Sequence, residues 1–290
     1  MTDAEKVRTF LNDSGFPFQH YCAAKIAELP DFEVSMEVPF THPSTDGAHL
    51  GLHGAIDMIA AVPTLGSGMM VYFIVECKRA SDKIKNWILL RNEQQEPRWP
   101  TFAYSQPTGD NPMAIGITRG VTFPALGYSH SADFDFIINA IEVNTQLSSV
   151  NREQAARVYN SLKQAMHGTY AFETAYPKVV EGIYYLRTDQ SRTHIYLPVV
   201  ITTANLYTPD MDVCRIADGE IPADAFNLGD PRKWVTFEFA LPDYLSYETP
   251  RDGGGIAVPK RTVVIVNHKY VEDFLLAARE VATIDAIPPV

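Results

Sequence analysis

Long hydrophobic runs are what the sequence most plainly lacks. No apolar stretch approaches the ~20 residues that cross a bilayer, and the longest candidate, Met69 to Val75, stops at Glu76. The opening Met-Thr-Asp-Ala-Glu-Lys has neither the basic start nor the apolar stretch of a secretory leader. Cysteine is scarce too. Cys22, Cys77 and Cys214 are odd in number, far apart and not at metal-binding spacing, which excludes a disulfide scaffold and fits reduced thiols. These absences point to a cytoplasmic location and no membrane partner.

Positive charge is also in short supply. Against 35 Asp and Glu there are 24 Lys and Arg, a net charge of −11, so broad attraction to a polyanion is not expected. Any nucleic-acid contact must come from a local basic patch. Several enzyme signatures are missing: no Walker loop, dinucleotide fingerprint or Gly-x-Ser-x-Gly elbow occurs. Asp252-Gly253-Gly254-Gly255 has no Lys-Ser/Thr and helix start after it, so it reads as a loop and not a phosphate cradle. His42, His49 and His53 fall close together without a cysteine, which reads better as surface histidines than as zinc ligands.

What remains is an ordinary globular composition, 46% hydrophobic and 20% charged over 290 residues. A chain of this length covers roughly three quarters of its unfolded surface. No repeat or linker breaks it, so residues 1–290 read as one mixed α/β domain. Ala4, Val7, Phe10 and Leu11 have helical spacing, and Asn12-Asp13-Ser14-Gly15 ends that helix. A second helix follows Pro17, with Tyr21, Ala24, Ile26, Ala27 and Leu29 roughly on one apolar face and Pro30 as its stop. Phe32 to Phe40 alternates like a strand, and a polar loop fills Thr41 to Gly47. Trp87 to Leu90 reads as helical. A further helix is expected from about Asn151 to His167, closed by Gly168, and a last one from about Val271 to Ala282. Val179 to Leu186, His194 to Thr202, Trp234 to Leu241 and Thr262 to Val266 read as strands.

The segment that carries chemistry runs from Gly54-Ala-Ile-Asp57 to Val71-Tyr-Phe-Ile-Val-Glu76-Cys77-Lys78. Two apolar strands flank Pro63-Thr-Leu-Gly66-Ser67-Gly68, and a reversal between Gly66 and Ser67 sets Asp57 directly opposite Glu76. Like charges so paired repel across only ~4.5–5.5 Å between Cβ atoms. A divalent cation shared by both carboxylates gives that repulsion a purpose, and Mg²⁺ suits an all-oxygen site that also takes water and phosphate. Residues i and i+2 of a strand share a face, so Lys78 points with Glu76 while Cys77 points away. An ammonium there can orient an attacking water and steady developing negative charge. One stretch runs against the acidic average: Lys78, Arg79, Lys83, Lys85, Arg91 and Arg98 face only Asp82, Glu93 and Glu96.

These residues resemble the core of the PD-(D/E)xK, or restriction-endonuclease-like, nuclease superfamily. The likeness rests on Asp57, on Glu76-Cys77-Lys78 after an apolar strand, and on Ser14-Gly15-Phe16-Pro17-Phe18-Gln19 opening a helix; it covers roughly Ser14 to Leu90. It implies a central mixed β-sheet flanked by helices and Mg²⁺-dependent phosphodiester hydrolysis, with Mn²⁺ able to substitute. Asp57, Glu76 and the Cys77 carbonyl would hold the metal, and Lys78 would position the water. The first helix of this core often carries a metal-site Glu, and the matching position here is Gln19, which offers only a neutral amide oxygen. Arg79, Lys83, Lys85 and Arg91 would follow the phosphate backbone of DNA. The competing reading is a nuclease-like binding or assembly module without hydrolysis, or one activated by a partner protein or ligand; a homo-oligomer stays open.

Overall fold

The computed structural model describes residues 2–42, 52–65, 68–80, 85–91, 100–108, 111–128, 134–135, 137–143, 152–175, 193–240, 260–280 and 282–286. Its first half contains helices α1 (Asp3–Ser14) and α2 (Phe16–Ala27), then strands β1 (Glu33–His42), β2 (Leu52–Pro63), β3 (Met70–Lys78) and β4 (Asn86–Arg91). Strands β5 (Thr101–Thr108), β6 (Asn111–Thr122) and β7 (Ile137–Val143) precede the long helix α3 (Arg152–Ala175). Strands β8 (His194–Thr202), β9 (Asn205–Tyr207), β10 (Asp210–Met211), β11 (Phe226–Asn227), β12 (Trp234–Ala240) and β13 (Lys260–Asn267) follow. Helix α4 (Val271–Ala278) and strand β14 (Ala282–Ala286) close the described chain.

A large mixed sheet organises the fold, with strands in the order β1-β2-β3-β8-β13-β12-β7-β4-β9. Strand β5 joins β8 and β6, and β6 pairs β14; β10 and β11 form a separate two-stranded piece. Strand β3 lies antiparallel to β2 and parallel to β8. Apolar on every position from Val71 to Val75, it is buried on both faces, as strands covered by helices on both sides must be. Val71, Phe73, Val75 and Cys77 share a cluster with Phe18, Cys22 and Ile26 of α2 and Phe274 and Leu275 of α4. Tyr72 and Ile74 pack on the other face with Phe172 of α3. Helices thus cover both faces, giving the α/β class with a mixed central sheet. Among the described residues, no helix is long and apolar enough to cross a membrane.

Local sequence explains the entry to the site. Thr2 and Glu5 cap α1 reciprocally, Glu5 N–H donating to Thr2 Oγ1 at 3.3 Å and Thr2 N–H to Glu5 Oε2 at 2.7 Å. Gly15, at φ +84°, ends α1 and begins α2, a left-handed turn that a side chain would strain. The apolar spacing of α1 forms a helix but no core contact: Val7, Phe10 and Leu11 stay exposed.

Four expectations need correction. Trp87 to Leu90 lies in strand β4, where Trp87 and Leu89 are fully buried and their neighbours less so, a two-residue period masked by apolar residues on both faces. Gly168 does not stop α3, which runs on to Ala175. A Cβ at Gly168 would stand 2.9 Å from Ile56 Cγ1, so the glycine serves close packing on the sheet. The buried face of α2 is Phe18, Gln19, Cys22, Ala23 and Ile26, whereas Tyr21 is exposed. The last helix ends at Ala278, and Ala282–Ala286 pairs with β6 as a strand. The expected strand from Val179 to Leu186 lies outside the described residues.

Candidate active site

The β2–β3 hairpin has the register its sequence predicts. Pairs run from Pro63↔Met70 to Met58↔Val75, and one step further brings Asp57 level with Glu76. At that step the ladder gives way to a side chain: the Cys77 N–H donates to Asp57 Oδ2 at 2.7 Å. Asp57 is thereby tied to the end of β3. Glu76 is only 8% exposed, and by strand alternation it faces the α3 side with Lys78.

Burial disfavours the charged form of both carboxyls. Burial, and then the neighbouring charge of Asp57, pushes the Glu76 carboxyl up to about 8, with the Lys78 ammonium pulling the other way. Burial also raises Asp57, opposed by the Cys77 N–H and by the Gln19 carboxamide. The charge of Asp57 beside it makes Glu76 the member of the pair that holds a proton. Gln19 is 8% exposed, and its Oε1 is buried without a hydrogen-bond partner.

A cavity of about 430 Å³ opens at this strand end. The Asn12–Gly15 turn, Gln19, Asp57 and the Glu76–Ala80 segment form part of its lining. Glu142 of β7 and Arg157 and Gln164 of α3 complete it. Glu142 is 2% exposed; its Oε1 accepts from Trp87 Nε1 at 3.1 Å, while its Oε2 is buried without a partner. Burial raises the Glu142 carboxyl, and the Trp87 hydrogen bond and the charges of Arg157 and Lys78 lower it. Lys78 therefore acts electrostatically on Glu76 and Glu142 alike.

Asp57, Glu76, Cys77, Lys78 and Gln19 are thus brought together, and the basic residues only in part. Arg79 lines the cavity but donates from Nη1 to the Asn12 carbonyl at 2.7 Å, closing the end of α1. Lys85 is exposed and does not line the cavity. Arg91 belongs to a different cavity, where Asp135 at 3.1 Å and Asp210 at 3.8 Å neutralise it. Lys83 lies outside the described residues. Phe102 and Tyr104, aromatics with the shape to stack on bases, are 0% and 2% exposed and belong to the core.

Sequence reading missed Glu142, Arg157 and Glu37. The first two come from elements far along the chain, and no local motif announces them. Glu37 sits in β1 between Met36↔Met58 and Val38↔Ile56, level with Asp57, at a left-handed φ of +50°. Its charge raises both Asp57 and Glu76. The pairing of β1 on β2 was the only signal that could have found it.

The donors fit a hard cation: two carboxyls, an unpaired amide oxygen and a backbone carbonyl at the strand end. Among the described residues no group of three or more His, Cys, Asp or Glu side chains gathers as a metal cluster, so the neutral oxygens and water would supply the remaining ligands. Comparison of the chain with protein-family models, curated proteins and solved structures finds no match.

Proposed function

We propose that the protein is a divalent-metal-dependent nuclease that hydrolyses phosphodiester bonds in DNA. The observation that carries this reading is the convergence of Asp57 and Glu76 at the end of a fully buried strand, with Lys78 on the same face. A carboxyl raised both by burial and by a neighbouring carboxylate, as Glu76 is by Asp57, is costly to ionise without a cation. Perturbed acids in a cavity are where chemistry is commonly found. Asp57, Glu76, Gln19 Oε1 and the Cys77 carbonyl would hold the metal, with Mg²⁺ or Mn²⁺ matching the oxygen donors. Bound there, the ion supplies Lewis-acid polarisation of the phosphate and a more acidic water. Lys78 Nζ would donate to an attacking water or to a phosphate oxygen, fixing the line of attack and offsetting negative charge as it develops. The Cys77–Asp57 hydrogen bond holds the first carboxylate in place so that binding requires little rearrangement.

The test is cleavage of plasmid and single-stranded oligonucleotide in Mg²⁺, Mn²⁺ or EDTA, with Lys78→Ala alongside. We expect metal-dependent cutting, and a loss in the variant of at least about 100-fold, the lower end for a positioned proton donor. Equal cutting by Lys78→Ala removes Lys78 from the mechanism.

One observation favours a second reading, a binding module without hydrolysis: the helix position facing Asp57 is an amide, a weaker ligand than a carboxylate. Calorimetric titration with Mn²⁺ separates the two. A silent titration supports the module, and a site that vanishes in Asp57→Ala supports the enzyme.

A further inference from the structure

A nuclease needs a cation to hold the strand beside the metal, and among the described residues those named from sequence leave none uncommitted inside the cavity. Arg79 is committed to the Asn12 carbonyl. Arg91 is neutralised elsewhere by Asp135 and Asp210. Lys78 stands beside the metal ligands themselves. Arg157 is the remaining cation of the lining. It is exposed on α3, and its side chain makes no hydrogen bond or ion pair among the described residues. Its charge is nevertheless felt by Glu142, which presents a buried, unpartnered Oε2.

We propose that Arg157 grips a phosphate of the bound strand next to the scissile one, on the α3 wall of the Asp57–Glu76 cavity, and that the buried Glu142 carboxylate of the same wall opposes that phosphate by its charge. The assignment rests on the nuclease reading and adds its substrate anchor. A guanidinium matches two phosphate oxygens at once, which an ammonium cannot do. Glu142 adds a negative charge to the same wall and repels phosphate from its own side. Removing the cation and removing the carboxylate must therefore act in opposite directions on affinity. A merely structural role for either residue predicts no such reversal.

The experiment measures binding of a fluorescent oligonucleotide by anisotropy, with Ca²⁺ replacing Mg²⁺ to suppress cutting, across a salt series. It is paired with steady-state cleavage in Mg²⁺. Arg157→Ala is expected to weaken binding about 10-fold and lower the log–log salt slope by about 1, the signature of one lost phosphate contact. Its KM rises with kcat nearly unchanged, and Arg157→Lys recovers part of the affinity. Glu142→Gln, which can still accept from Trp87, tightens binding, and melting temperatures confirm that both variants fold. If wild-type protein binds or cuts while Arg157→Ala keeps its affinity and slope, the assignment is overturned and the nuclease reading stands. Weakened binding by folded Glu142→Gln also overturns it. Wild-type protein that neither binds nor cuts in any metal overturns the nuclease reading and this assignment with it.

Discussion

Gly168, in the middle of α3, meets Ile56 of β2 so closely that an added Cβ would lie 2.9 Å from Ile56 Cγ1 and 3.6 Å from Ile74 Cγ2. Here a residue that weakens helices is what lets the helix approach the sheet. Alanine at this position gains about 1 kcal/mol of helix propensity but must push into a packed interior, at a cost of about 1–3 kcal/mol. We expect Gly168→Ala to be net destabilising by urea unfolding. Paired with Ile56→Ala, which removes the atom in the way, the double variant should lose less than the two singles added together.

A second buried contact predicts a larger effect. Arg261 Nη1 donates to both oxygens of Glu173 at 2.7 and 2.8 Å, and the two residues are 1% and 0% exposed. Removing one partner leaves an uncompensated charge, which costs about 3–5 kcal/mol. Arg261→Met alone should approach unfolding at moderate temperature. Arg261→Met with Glu173→Leu should recover most of the loss, as read from thermal melts.

How much of this was legible beforehand depended on sequence distance. The β2–β3 register could be read because the Pro63–Gly68 turn and two apolar runs leave a single sensible pairing, and Asp57, Glu76 and Lys78 follow from it. Gln19 was legible only through the helix opening that Gly15 dictates. Trp87 to Leu90 misled because a strand apolar on both faces loses its alternation. Gly168 misled because local rules treat glycine as a helix end, while tertiary packing here demands the missing Cβ. Glu142 and Arg157 reach the cavity only after β7 and α3 dock on the sheet. Arg91 lines a different cavity, beside Asp135 and Asp210, which its place in the sequence does not announce.

The paired carboxyls give a prediction that separates a metal site from a structural acid pair. Glu76→Gln removes a buried carboxyl that must take up a proton on folding near neutral pH while keeping the shape. In EDTA near neutral pH the variant should melt higher than the wild type, by about 2–4 °C for each kcal/mol recovered. The wild type should gain stability from Mn²⁺ by mass action, and the variant should gain little. A variant that melts lower in EDTA, or keeps the full Mn²⁺ shift, removes Glu76 from the metal site.

The same group sets a pH dependence with a definite sign. The Glu76 carboxyl titrates near 4.5 when free and at about 8 in the fold, so the folded apoprotein keeps a proton that the unfolded chain releases between those values. Its contribution to stability is fully present below about 4.5, declines as pH rises, and is gone above about 8. Asp57, raised in the same direction by burial, steepens the acid end. Urea midpoints in EDTA at about pH 5, 6.5 and 8 should therefore fall in that order, and Glu76→Gln should flatten the trend. Metal reverses it. Cation binding needs both carboxylates ionised, so the stabilisation by Mn²⁺ should grow across the same interval as protons leave. Midpoints that rise with pH in EDTA, or an Mn²⁺ effect that shrinks toward pH 8, would mean that the two carboxyls do not share one buried, cation-seeking site.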